Sequence, residues 1–150
     1  MEWVQHLMSN KIFWASACGW LTAQVLKTII YAISNKGKIN WSRLVGDGGM
    51  PSGHSATVSA LAVECAMTQG LASPAFAIAF FLAIIVMHDA MGVRLETGKQ
   101  SKALNDLMSI VYNKDLSSNE RLKEFVGHTP IQVAAGSLLG IAIALLFYFI

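Results

Sequence analysis

Four blocks of apolar residues, each approaching the length of a membrane-crossing helix, divide this chain, and one long polar stretch separates the third from the fourth. A helix needs about 20 residues to cross the hydrocarbon core of a bilayer. The first block, Ile12 to Ile33, is interrupted by Gln24 and Lys27; the second, Ser55 to Gln69, is short and rich in Ala, Ser and Thr. The third, Pro74 to Met91, contains AFAIAFFLAIIVM, and the fourth, Ile131 to Ile150, reads IQVAAGSLLGIAIALLFYFI. Ahead of them, Trp3 to Met8 predicts a short amphipathic helix at the membrane interface. The polar stretch runs from Arg94 to Gly127. Within it Ala103, Leu104, Leu107, Met108 and Val111 recur at the spacing of a one-sided helix lying on or against the bundle. Ser117 or Ser118 could then cap a further short helix. The pattern predicts an all-α, polytopic membrane helix bundle of about four transmembrane helices with one or two interfacial helices. Residues 1–150 form a single integral membrane domain in this reading.

Composition agrees with that pattern. The chain is 54% hydrophobic and 13% charged, where soluble domains carry about 25% charged residues. The net charge of +2 gives no reason to expect a nucleic-acid partner. Cys18 and Cys65 both fall inside apolar blocks without metal-type spacing and read as small buried residues. The start MEWVQHLMSNK lacks the compact apolar core of a cleavable signal peptide, and ASAC lies inside the longer first block.

The distribution of charge is more informative than its sum. If four helices cross in turn, the loop 35–54 and the region 94–128 face one side. Nine of the eleven Lys and Arg fall there: Lys36, Lys38, Arg43, Arg94, Lys99, Lys102, Lys114, Arg121 and Lys123. The other side holds Lys11, and Lys27 lies within a span. The positive-inside rule then predicts a multi-pass protein of the cell membrane with this basic side in the cytoplasm.

On that side GGMPSGHSA precedes the second block and VGHTPIQVAAGSLLG begins the fourth. His54 and His128 therefore stand at two helix starts on one face, where unpaired N–H groups and the helix dipole favour an anion. Gly53 would let a ligand approach the backbone, and Ser52 could donate a hydroxyl hydrogen bond. The third block ends on the same face and delivers His88, Asp89 and Arg94. Two histidines so placed suit a nucleophile and a general acid acting on a phosphoryl group. Pro-Ser-Gly before a helix is also an ordinary capped turn, so the second histidine motif carries much of this argument.

MPSGHS followed by GHTPIQVAAGSLLG resembles the type 2 phosphatidic acid phosphatase superfamily of membrane lipid phosphatases and vanadium haloperoxidases. With HDAMGVRLETGKQ, the chain from Gln24 to Gly140 looks more like that superfamily's divergent bacterial and plant branch. The resemblance implies that His54 protonates the leaving oxygen and that His128 attacks phosphorus to form a phosphohistidine. Basic residues of the first and third motifs would hold the phosphate. Lys36 and Arg43 have the first-motif spacing, but Leu44 replaces its proline, and Lys27 is a competing candidate for the lysine. Leu122 stands where the third motif has arginine, flanked by Arg121 and Lys123, so Arg94 is expected to supply that charge. Gln132 stands where an aspartate orients the nucleophile; Asp89 could substitute for it through space.

The sequence thus predicts a metal-independent membrane phosphatase without a cofactor, acting on a lipid phosphate or an isoprenoid (pyro)phosphate. His128, His54 and Asp89 would be catalytic, and Lys27, Arg43, Ser52, Gly53 and Arg94 would bind phosphate. The competing reading is a non-catalytic protein that binds or moves a phospholipid or polyprenyl phosphate. The partner in either case is a membrane lipid. Four spans are few for a self-contained site, so a homodimer could complete it. Lys27 reads either as a phosphate ligand or as a lysine reaching the interface. Glu64 reads as a buried structural partner, Gly136 and Gly140 as a helix-packing pair, and His6 and His88 as interfacial residues.

Overall fold

The computed structural model describes residues 2–35, 49–112, 117, 121, 122, 124 and 127–150. Six α-helices and no strand occur among them: α1 (Glu2–Met8), α2 (Lys11–Ser34), α3 (Gly53–Gln69), α4 (Pro74–Met91), α5 (Val93–Tyr112) and α6 (Pro130–Phe149). The fold is an all-helical bundle of the membrane type. By length and composition α4 and α6 are long and apolar enough to cross a bilayer. α2 has the length, with 24 residues, and α3 is shorter, with 17.

Local chemistry sets the helix ends. Asn10, Ser52, Ser73 and Thr129 are the N-caps of α2, α3, α4 and α6, and each side chain accepts a backbone N–H of the first turn. Pro74 and Pro130 follow two of these caps at positions where a missing N–H costs nothing. Gly92 ends α4, its N–H reaching the His88 carbonyl at 2.8 Å. α5 starts again at the next residue.

α3 is the central element, packed against α2, α4 and α6. Small side chains build its contacts: Ala15, Ala23, Ala56, Ala60 and Ala144 are fully buried. Against α6 the approach is closer still. A Cβ on Gly136 would fall into the Ser52 carbonyl, and one on Gly140 into the Ala56 carbonyl. The two glycines therefore bring α6 onto the backbone of α3 within the molecule. By contrast Ile78, Phe81, Ile84 and Ile85 of α4 are exposed, as residues facing lipid would be.

Candidate functional site

The close seam between α3 and α6 brings their first turns together. The Ser52 N–H donates to the Gln132 carbonyl at 3.0 Å, tying the PSG turn to α6. The rings of His54 and His128 then lie 6.1 Å apart between centroids, inclined at 62°. One phosphoryl group between them could touch both. His54 is half-buried and His128 is 2% exposed.

The surroundings of His128 set its tautomer. Gln132 occupies the third helical position of α6 and completes a capping box with Thr129. Its Oε1 accepts the Thr129 N–H at 3.1 Å, which identifies that end of the amide as the oxygen. The same oxygen lies 3.3 Å from His128 Nδ1. In the neutral ring Nδ1 is therefore the protonated nitrogen, and the lone pair belongs to Nε2. The segment bearing His128 is also fixed to α4: its N–H donates to the Ala90 carbonyl at 2.9 Å. Gly127, with φ +90°, lies so close to Arg94 and Leu95 that a Cβ would enter their backbone.

Lys27 comes to the other side of the motif. It is 4% exposed, and its stem lies across Gly49, whose φ is +89° and where a Cβ would stand 3.2 Å from Lys27 Cγ. A cavity of about 170 Å³ opens there, lined by Lys27, Ile30, Tyr31, Ser34, Gly49 and Met50. One turn earlier, the buried Gln24 amide lies near Gly53, with an oxygen that has no hydrogen-bond partner among the described residues. Gln24 and Lys27 thus make a polar patch behind the start of α3.

Other expected residues have different local duties. Ser52 is fully buried, and its oxygen accepts the Ser55 N–H at 3.3 Å and the Ser55 hydroxyl at 3.0 Å. It caps α3 from inside. A Cβ on Gly53 would make only ordinary contacts, the nearest at 3.6 Å to Trp20, so packing does not demand glycine there. The Arg94 Nε donates to Asp89 Oδ2 at 2.7 Å. The pair forms despite its five-residue spacing because Gly92 separates α4 from α5. Asp89 is engaged by Arg94, and Gln132 is the group beside His128 Nδ1. Arg43, with Lys36, Leu44 and Lys123, lies outside the described residues.

Asn105 carried no signal in the sequence beyond being a polar residue on an amphipathic helix. It is buried, and its Nδ2 donates to the Leu122 carbonyl and the Glu124 carboxylate, each at 2.9 Å, while its Oδ1 accepts the Leu122 N–H at 2.8 Å. This side chain clasps the segment approaching His128 onto α5.

The described helices thus form a bundle of the membrane type in which the starts of α3 and α6 bring two histidine rings together. The chain belongs to the Divergent PAP2 family, whose model matches residues 8–143. It is also similar to a protein of Bacillus subtilis (strain 168) bearing the name "Uncharacterized membrane protein YuiD". The two are 38% identical over 157 residues, covering 96% of this chain and 98% of that one. No solved structure matches the chain.

Proposed function

We propose that this protein is a multi-pass phosphatase of the cell membrane. It hydrolyses a lipid phosphate or an isoprenoid (pyro)phosphate through a phosphohistidine, with its histidine-bearing loops in the cytoplasm. The observation that carries the reading is the 6.1 Å approach of His54 and His128 at two helix starts, with Gln132 holding the His128 tautomer. Family membership and the basic residues gathered on that side support it.

In the first step His128 Nε2 attacks phosphorus while the bond to the leaving oxygen breaks, and the His54 imidazolium gives that oxygen its proton. The phosphoryl group is then bound to His128. In the second step neutral His54 takes a proton from water, the resulting oxygen attacks phosphorus, and phosphate leaves His128. Lys27, Arg94 and Arg43 would offset the negative charge on the phosphoryl oxygens, assisted by N–H groups at the start of α3. The lipid-facing walls of the bundle suit a substrate with a phosphate head and an apolar tail.

One observation favours the second reading, a protein that binds or moves such a lipid without cleaving it. The group orienting His128 is an amide, which cannot neutralise the imidazolium charge of a phosphohistidine. The test is phosphate release by detergent-purified protein from a panel of lipid phosphates and polyprenyl pyrophosphates, with acid-labile phosphate on His128 read by mass spectrometry. Turnover and labelling lost together in His128→Ala are expected. Lipid binding in both proteins without turnover in either would establish the second reading.

A further inference from the structure

The end of the bundle away from the histidines holds a carboxylate that the proposed chemistry does not use. Glu64 lies ten residues after His54 on α3, about 15 Å along the helix. Its exposure is 0%, and neither oxygen has a hydrogen-bond partner among the described residues. Glu64, read from the sequence as a buried structural partner, is buried as that reading has it, but it forms no ion pair among the described residues. An ionised carboxylate buried without partners is strongly disfavoured. Carboxylates within membrane proteins accordingly mark ion and proton sites.

Lys11 is the cation whose field reaches Glu64. Its ammonium is engaged elsewhere, donating to the Phe147 carbonyl near the end of α6 at 3.2 Å. A cavity of about 390 Å³ opens beside Lys11 and is lined also by His6, Ser9, Asn10, Ile12, Thr68 and Gln69. Thr68 is one helical turn beyond Glu64 and donates its hydroxyl to the Glu64 carbonyl at 2.7 Å. Glu64 itself does not line the cavity; Thr68, which does, is the residue one helical turn further along α3. The titratable groups brought to this end are Lys11 from α2, Glu2 and His6 from α1, Cys65 beside Glu64 and Tyr148 near the end of α6, with Cys18 two turns into α2. The titratable residues of α4, His88 and Asp89, lie at its other end.

We propose that Glu64 binds a compact cation, a proton or an alkali-metal ion, reached through the Lys11–Thr68 cavity from the end opposite the histidines. This site is independent of the phosphatase reading. Its occupant supplies the positive charge that the surrounding helices do not bring within bonding distance of the carboxylate.

Infrared difference spectroscopy on the full chain in lipid nanodiscs tests this, using steps of pH in sodium and in choline chloride. The expected result is a protonated-carboxyl band that is lost as pH rises and is missing from Glu64→Gln. Loss in both salts alike identifies the proton alone. Further loss on adding sodium at fixed pH identifies an alkali-metal ion competing for the same oxygens. In protein carrying carboxyl-¹³C glutamate, Glu64→Asp should retain a carboxyl band but lose its isotope shift, which assigns the band without removing the acid. Thr68→Leu, which narrows the cavity, should slow hydrogen–deuterium exchange of that band several-fold. A Glu64 band that is absent, or unchanged by pH and by sodium, would overturn the proposal. Unaltered exchange in Thr68→Leu would overturn the route.

Discussion

The two ends of α3 differ in how their polar groups are held. At the first end Ser52 is tied to Gln132, Gln132 to Thr129 and His128, and the His128 backbone to Ala90. At the far end Glu64 is as deeply buried as Ser52, yet its oxygens have no partner among the described residues. The first arrangement is already organised and can hold two rings at a fixed spacing before any ligand arrives, which is what electrostatic catalysis requires. The second leaves a buried carboxyl group without a partner among the described residues, as the proposed cation site requires. One helix of small residues thus connects a rigid end to an end with an unfilled demand.

Removing the proposed nucleophile would break the first end most severely. His128→Ala should lower turnover about a thousandfold or more, about 4 kcal/mol of transition-state stabilisation, with a smaller cost to thermal stability from the lost buried ring. Single-turnover phosphate release measures the first quantity and thermal unfolding in detergent the second. Turnover that persists in this variant would remove His128 from the chemistry.

Next in size is a change to the seam that joins the ends. Gly140→Val places side-chain carbon where the Ala56 carbonyl lies, and neither backbone can yield cheaply. Overpacking of this kind costs about 3 kcal/mol, so a large fall in Tm is expected together with loss of activity as the histidines move apart. Ala134→Val, on an exposed side of the same helix, should leave both nearly unchanged. Equal effects at the two positions would mean that the seam is not what holds α6.

Much of this architecture was legible in the residues. The expected third span, Pro74 to Met91, matches α4 as found, and the other three differ from α2, α3 and α6 by one or two residues at an end. Ser73-Pro74 and Thr129-Pro130 are strong start signals, so these limits follow from local chemistry alone. The approach of His54 to His128 was legible as two helix starts on one face. Its cause was not, because Gly136 and Gly140 read as a packing pair without revealing which backbone they meet. Spacing alone does not decide the Asp89–Arg94 pair: five residues apart on one helix they would diverge, and the break at Gly92 lets them meet. Asn105 was invisible because its partners, Leu122 and Glu124, are distant in sequence.

That clasp gives a smaller test. Asn105→Ala removes three hydrogen bonds and leaves the Leu122 N–H and carbonyl without their partner. Loss of a buried polar partner costs about 1–3 kcal/mol. The cost should appear locally, as faster amide exchange at Leu122 and a several-fold fall in turnover, with a minor change in Tm. Unchanged exchange at Leu122 would show that the approach to His128 is held by other contacts.

The subtlest variant concerns a single atom beside the nucleophile. Gln132→Glu keeps the length of the side chain, and glutamate is as suitable as glutamine at the third position of a capping box. Its negative charge at the first turn of α6 is also favourable to the helix dipole. Helix and Tm should therefore be preserved. At His128 the carboxylate stabilises the imidazolium, raising the pKa of the ring. Attack requires neutral His128, so the acidic limb of the kcat/KM profile should move to higher pH. Above that limb the same carboxylate offsets the positive charge of the phosphohistidine ring, and turnover should rise a few-fold, on the order of 1 kcal/mol or less. A slower enzyme with an unmoved acidic limb would mean that the Gln132 amide acts on the substrate rather than on the tautomer of His128.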